Sequence, residues 1–242
     1  MNAIRGLRAL DGSGWAMLAL GVIFAACMPV FLIAINVVYV TDSDWLYTYN
    51  WWRNGVPDRT GLPIHELDSA ADQIKDYFAN DAERLDVTVN TSRGRVSLFV
   101  EREVLHMIDV KDLMRLVAST SIWTGIALVV TTLLGLLIRR GQFFAAMSRW
   151  LRWCALVWGI IVGALIVASI IDFTWVFTQF HLLSFANDLW QLDPFRHYLL
   201  LLFPERFFLE ATLFIALLTV IEFTGLYVGA RLMEIKLVDD QS

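Results

Sequence analysis

The sequence predicts a polytopic α-helical membrane protein: four transmembrane helices, a small α+β extracytoplasmic domain between spans 1 and 2, and an interfacial helical segment between spans 3 and 4. Hydrophobic residues make up 57% of the 242 residues and charged residues only 18%, whereas soluble domains average about 45–50% and about 25%. The mean hydropathy is +0.58. The additional hydrophobic residues lie in four blocks, each of about the length that crosses a bilayer. This pattern excludes a soluble globular protein, a disordered chain and a disulfide scaffold.

The four apolar blocks contain no lysine or arginine in their interiors, and they predict spans at 15–40, 117–138, 153–175 and 209–230. The first block follows two arginines, as a signal peptide would. Its apolar run continues well past Cys27, however, and this length favours a retained span over a cleaved signal.

The distribution of lysine and arginine predicts the orientation of the spans, since these residues concentrate in short cytoplasmic loops. They occur in 1–14, in 139–152 and in 231–242, which four spans place on one side. Both termini are therefore expected in the cytoplasm. The segments 41–116 and 176–208 are then extracytoplasmic, so the polar and elaborate parts of the chain face outward.

The segment 41–116 is long enough for a small folded domain. Asp68 and Ser69 precede apolar residues at helical spacing, which predicts a short amphipathic helix with an N-cap. Two alternating runs at 85–89 and 96–100 then predict a β-hairpin. His106 follows, between the second strand and the second span, and Asp109 shares its face if a helix has begun.

The segment 176–208 is rich in aromatic residues but carries a polar residue every few positions. It is too polar for a fifth span and too apolar for a solvated loop. We expect in-plane helices or a re-entrant hairpin at the membrane interface, broken at Pro194 and Pro204. Each of these prolines is expected to begin a helix.

The charges and cysteines suggest few further partners. The net charge of −5 comes without a basic stripe, so no nucleic-acid partner is expected. Cys27 and Cys154 both lie in apolar blocks and share no local spacing, which indicates buried thiols. Glu222 lies within the fourth block, where we expect a protonated carboxyl bonded to neighbouring spans.

Two strings before spans 2 and 4 carry a resemblance. The first is Leu-His-Met-Ile-Asp-Val-Lys at 105–111. The second includes Phe-His at 180–181, Asn-Asp at 187–188, Leu-Asp-Pro at 192–194 and Phe-Pro-Glu at 203–205. Together with four spans and an outer domain, these strings resemble the bacterial lipoprotein intramolecular transacylase family.

The resemblance implies a reaction and a site. Such enzymes move the acyl chain from the sn-2 position of a diacylglyceryl-modified N-terminal cysteine onto the α-amino group of that cysteine, giving a lyso-form lipoprotein. The catalytic histidines of the family correspond to His106 and His181. The implied setting is the bacterial cytoplasmic membrane, with membrane lipids and a diacylglyceryl lipoprotein of the outer leaflet as partners.

This chemistry is an aminolysis of an ester, in which amine and ester belong to one molecule. It requires a base for the amine and a group for the oxyanion or the leaving glyceryl oxygen. Histidine suits both tasks, because its pKa lets one imidazole be neutral and another charged near neutral pH. Neither a cofactor nor a metal is expected. Possible helpers, which orient the histidines or stabilise the oxyanion, are Asp109, Lys111, Asn187, Asp188 and Arg206.

Two other functions remain open from the residues alone. A metal-dependent membrane hydrolase would use the two histidines with Asp109 or Asp188 as ligands, although no tight ligand spacing supports it. A non-catalytic membrane protein would bind an outer partner through 41–116. A chelator would inhibit only the hydrolase, and histidine substitutions would be silent only in the binding protein.

Overall fold

The computed structural model describes residues 12–92, 94–139 and 142–239, apart from the side chains of residue 142 and of 237–239. Most of these residues are helical, and the strands form one two-stranded sheet. The elements in chain order are α1 Gly12–Asp42, α2 Asp44–Arg53, α3 Val56–Thr60, α4 Ile64–Ala79, β1 Thr88–Thr91, β2 Gly94–Ser97, α5 Glu101–Arg139, α6 Gln142–Ile171, α7 Phe173–Ser184, α8 Tyr198–Leu202 and α9 Glu205–Asp239.

Four helices among the described residues are long and apolar enough to cross a membrane, which confirms the predicted fold class. They are Gly12–Asp42, Glu101–Arg139, Phe143–Ile171 and Glu205–Lys236. Each begins before the apolar block that predicted it. The first, second and fourth also end beyond their blocks, whereas the third ends at Ile171, before the predicted residue 175. The second differs most, because α5 begins at Glu101 rather than near 117.

The chain divides into two compact units. The first comprises Met1–Ile35, Ser119–Gly163 and Ala216–Ser242. The second comprises Asn36–Ala118 and Ala164–Ile215. The first therefore contains most of the apolar helical stretches, and the second contains the sheet, the short helices and both candidate histidines.

The first unit is held together by apolar side chains and by close approach at small residues. Its main cluster of buried residues consists of Phe24, Met28, Leu32, Leu128, Leu151 and Ala230. A side chain added at Gly135 would overlap the ring of Phe143. Small residues that let helices approach closely are the usual means of packing in membranes.

The second unit is built around α2 and α4, both of which bury aromatic residues. The indole of Trp51 donates to the carboxylate of Asp68 at 2.9 Å, and the amide of Asn50 donates to the carbonyl of Leu202 at 2.8 Å. Trp51 and Asn50 are buried. These bonds connect α2 to α4 and to α8. They also satisfy the polar groups of Trp51 and Asn50, which need hydrogen-bond partners because both side chains are buried.

Two predictions for this unit are wrong in their boundaries. Helix α4 begins at Ile64, directly after Pro63, so Asp68 and Ser69 are not its N-cap. Pro63 is the N-cap residue and makes no side-chain cap, and its carbonyl oxygen accepts from the backbone N–H of Glu66 at 3.0 Å. The strands of the hairpin are shorter than predicted and pair Thr88 with Ser97 in antiparallel register.

The segment before α9 follows only one of its two predicted proline signals. Helix α9 begins at Glu205, immediately after Pro204, as predicted. Pro194 instead lies in a turn, where the backbone N–H of Phe195 donates to the Asp193 carboxylate at 2.9 Å. This local bond satisfies the backbone without a helix, and the next helix begins only at Tyr198.

Candidate active site

His106 and His181 come together in the second unit. Their ring centroids are 6.1 Å apart and their planes are inclined by 33°. His106 lies in the second turn of α5 and His181 in the last turn of α7. Both are buried, with 6% and 7% of their surface exposed. Two imidazoles that are 75 positions apart in the sequence thus form one site.

The hydrogen bond of His181 defines its tautomer. Its Nδ1 lies 2.7 Å from the carbonyl oxygen of Phe177, one turn earlier in α7. A carbonyl oxygen can only accept, so Nδ1 carries the hydrogen. The lone pair of the neutral ring is therefore on Nε2, which is the basic nitrogen.

Aromatic rings enclose the two imidazoles. Phe177 and Trp190 lie 4.2 and 4.9 Å from His181, measured between ring centroids. Phe185 contacts both histidines, at 5.2 Å from His106 and 5.5 Å from His181. This environment excludes water and disfavours charge on either imidazole.

His106 lies in the part of α5 that precedes the apolar stretch 117–138. Burial lowers the pKa of its imidazole to about 4. His181 and Arg102 lower it further, and the carboxylate of Asp109 opposes them. The Nδ1 of His106 is buried and has no hydrogen-bond partner among the described residues. A buried polar atom without a partner is uncommon and is a position where a substrate can bind.

Burial also lowers the pKa of His181. Two groups oppose the effect: the Phe177 carbonyl and the negative charge of Glu205. Both imidazoles are therefore neutral near pH 7, which differs from the expectation that one would be charged. Of the two, only His181 has a hydrogen bond that stabilises its protonated form.

Three of the possible helper residues connect the segment 185–190 to α5. Asn187 donates to the Asp109 carboxylate at 2.9 Å. Arg102 donates to the backbone carbonyl of Asp188 and lies 3.8 Å from its carboxylate. Asp188 therefore faces Arg102, and the carboxylate whose charge acts on His181 is that of Glu205.

The other two helpers have partners elsewhere. The ammonium group of Lys111 donates to the carbonyl of Ala82 at 2.6 Å and lies over the ring of Tyr77. Five helical positions separate it from His106, which turns it by about 140° around α5. Arg206 pairs with Glu210 at 3.0 Å. These contacts indicate structural roles for both cations.

Sequence reasoning gave no role to Arg102, Glu103 and Glu205. The spacing of Arg102, His106 and Asp109 is that of one helix face, a signal that was available. Glu103 is fully buried and accepts from the backbone N–H groups of Val100, at 2.9 Å, and Leu199, at 2.7 Å. Its bond to Val100 is the backward half of a capping box. Val100 has no side-chain oxygen for the forward half, so the sequence carries no capping-box signature.

The described residues contain no group of three or more His, Cys, Asp or Glu side chains arranged to hold a metal ion. The ligand set that a metal-dependent hydrolase would need is therefore not assembled around the two histidines within this part of the chain.

A family model and three solved structures match this chain. The family model for the lipoprotein intramolecular transacylase Lit matches residues 22–208. A search of curated proteins finds no match.

Among solved structures, the membrane-integral lipoprotein intramolecular transacylase Lit from Bacillus cereus is similar, with a TM-score of 0.75 and 22% identity over 95% of this chain and 100% of that one. A variant of it with one histidine replaced by arginine gives a TM-score of 0.72 and 20% identity, covering 95% and 96% of the two chains. The corresponding alanine variant gives 0.72 and 21%, covering 95% and 97%. At these identities the structures establish a shared fold.

Proposed function

The chain belongs to the lipoprotein intramolecular transacylase family, and on this premise we propose that it transfers an acyl chain within a lipoprotein. The chain moves from the sn-2 ester of a diacylglyceryl-modified N-terminal cysteine to the α-amino group of the same cysteine. The observation that carries the proposal is the pairing of two buried imidazoles, 6.1 Å apart between centroids, in a multi-pass membrane protein. One carbonyl group between the rings can contact both of them.

His181 is the general base in this proposal. Its Nδ1–H group is held by the carbonyl of Phe177, so Nε2 is free to accept a proton from the attacking amine. The imidazolium that forms is stabilised by the same carbonyl and by the charge of Glu205. The apolar surroundings also favour the neutral, nucleophilic form of the substrate amine, since burial disfavours charged groups.

His106 is the electrophilic partner. Its pKa of about 4 keeps the ring neutral, and a neutral imidazole donates one N–H to the oxyanion. Its Nδ1 is buried without a hydrogen-bond partner among the described residues, and its N–H form can donate to a substrate oxygen. Such preorganised donors stabilise developing charge more effectively than water does.

The proposed steps balance without a co-reactant. The nitrogen–carbonyl bond forms as Nε2 of His181 takes a proton from the amine, giving a tetrahedral oxyanion next to His106. The bond between the carbonyl carbon and the glyceryl oxygen then breaks, and the proton on His181 passes to that oxygen. The products are an amide and a free glyceryl hydroxyl, and both histidines return to their neutral state.

The proposal also includes the setting: the site faces the outer leaflet, where the lipidated cysteine lies, and both termini are cytoplasmic.

The test of the proposed function is expression in a bacterial host that lacks this activity, followed by mass spectrometry of lipoprotein N-terminal peptides. We expect one acyl group to move from the glyceryl moiety to nitrogen with no change in total mass. Unchanged diacylglyceryl peptides, in cells where the protein is present in the membrane, would contradict the proposal.

A further inference from the structure

The segment 185–190, here called the strap, covers the histidine pair. It has no regular secondary structure and follows α7 directly. Phe185 at its start packs against both imidazoles, and Trp190 at its end packs against the ring of His181. Since the histidines are 6% and 7% exposed, an ester cannot contact both rings while the strap keeps this position.

The strap is held by two kinds of contact: apolar packing of Phe185 and Trp190 against the histidines, and polar contacts at the surface. The side-chain polar contacts described between the strap and α5 go to one face of that helix, through Arg102 and Asp109. Ala186, Asn187 and Asp188, in the middle of the strap, are exposed. Exposed polar contacts are individually weak because water competes for both partners, so they can break while the helices remain folded.

The surface beside the strap suits a lipid. Leu182 and Leu183 immediately precede it and are exposed, Leu183 to 88%. His181, the residue before them, is buried. These leucines offer an acyl chain an apolar surface next to the start of the strap.

We propose that the strap is a gate for a lipid ester and that the Asp109–Asn187 and Arg102–Asp188 contacts hold it closed. Opening breaks these contacts, withdraws Phe185 and Trp190, and exposes both imidazoles to the ester. Asp109 and Asn187 act through the strap and are positioning residues. The identity of the ligand rests on the proposed function, whereas the closed and open states of the strap do not.

The test exchanges the two groups of one contact. Asn187→Asp places two carboxylates against each other and opens the strap. Adding Asp109→Asn restores one amide donor and one carboxylate acceptor in reversed order, and closes it. Asp81→Asn is the matched control, because it removes an exposed 3.0 Å ion pair with Arg115 elsewhere in the same unit.

The readout is the modification rate of individual histidines by diethylpyrocarbonate in the purified full chain at pH 7, measured by peptide mass spectrometry without substrate. In the unmodified protein we expect His106 and His181 to react at least about tenfold more slowly than exposed His65, because only a minor open population reacts. Asn187→Asp should raise both rates at least about threefold, and the reciprocal double variant should restore them. His65 reports in each variant that the reagent is active.

The kinetics give a second readout. When opening no longer limits binding, KM should fall in Asn187→Asp, because a larger fraction of the protein is competent to bind. Its kcat should stay close to that of the unmodified protein, because the bound ester reacts with the strap open in both proteins. A purely structural lesion would not lower KM.

Three results would overturn the proposal: both imidazoles reacting as fast as His65 in the unmodified protein, Asn187→Asp reacting as slowly as the unmodified protein, or Asp81→Asn reproducing its effect. If Asn187→Asp does not fold, Asn187→Ala removes the same contact without added charge. The same increase in the modification rates of His106 and His181 is then expected of Asn187→Ala, and rates as slow as in the unmodified protein would overturn the proposal. Failure of the proposed function is distinguishable, since a chain inert toward lipoproteins can still show the expected modification pattern.

Discussion

The Nδ1–H group of His181 donates to the carbonyl oxygen of Phe177 across 2.7 Å, within one turn of α7. This bond leaves Nε2 as the basic nitrogen and stabilises the protonated ring. His106 has no corresponding bond, and its Nδ1 is buried without a partner in the described chain. The two imidazoles are therefore chemically unequal, which leads to different expectations for each.

Single substitution of either histidine should abolish detectable lyso-form lipoprotein in cells. In an assay of the purified protein, the two substitutions should lower kcat by different factors. His181→Ala removes the base and should lower kcat by about 10²–10⁴-fold. His106→Ala removes an oxyanion donor and should lower kcat by about 10²–10³-fold. His65→Ala is the matched control, since that side chain is exposed, and it should retain full activity. Unaltered product formation in either of the first two variants would refute the assignment.

The charge of Glu205 should be visible in the pH dependence of kcat/KM. Activity requires neutral His181, so it is present above the pKa of that ring, below the ordinary 6.5, and falls as pH drops through it. Glu205 raises this pKa, so Glu205→Gln should shift the acid limb to lower pH. Glu210→Gln, which removes the partner of Arg206 on the same helix, should leave the limb in place. Equal shifts in both variants would show that Glu205 has no specific effect.

Burial of His106 should make the protein less stable in acid. Its pKa is about 4 in the folded state and about 6.5 when unfolded. The unfolded chain therefore binds the extra proton between these values, and stability falls as pH drops from about 6.5 to about 4. The loss is about 3 kcal/mol at most, at 1.36 kcal/mol per pKa unit. In detergent, the Tm of the unmodified protein should fall relative to that of His106→Gln as pH drops through this window. A Tm difference between the two proteins that does not change with pH would contradict the lowered pKa of His106.

Lys111 should matter for stability and not for the reaction. Lys111→Met removes the charged donor to the carbonyl of Ala82, and a hydrogen bond to a charged group contributes about 1.5–3 kcal/mol. The Tm should fall, while kcat per folded molecule stays within about twofold of its original value. A loss of kcat of a hundredfold or more in a variant with an unchanged Tm would instead support an oxyanion role.

The presence of four apolar helices and the proximity of the two histidines could be predicted from the sequence. Bilayer thickness imposes a minimum apolar length, and short strings around His106 and His181 carry a family resemblance. Helix boundaries were less predictable. The start of α5 at Glu101 depends on the bond between Glu103 and Val100, and that of α4 on Pro63. Such local bonds leave only weak traces in hydrophobic patterning.

The roles of the charged neighbours could not be predicted, because they depend on which segments meet in the folded chain. Asp109 was expected as a possible helper of the histidines, and its carboxylate accepts from Asn187, 78 positions later. Asp188 was also expected as a possible helper, and its carboxylate lies 3.8 Å from the guanidinium of Arg102. The long-range contacts that decide these pairings are fixed by packing, and one-dimensional spacing does not contain them.

The most direct test of the central claim uses the purified protein in lipid vesicles with a synthetic diacylglyceryl-cysteine peptide whose sn-2 acyl chain alone is isotopically labelled. Tandem mass spectrometry then locates the label. We expect it to appear as an amide on the cysteine nitrogen with the unmodified protein and with His65→Ala, and to remain in the ester with His181→Ala. Label that stays on glycerol with the unmodified protein, or transfer at full rate by His181→Ala, would contradict the account.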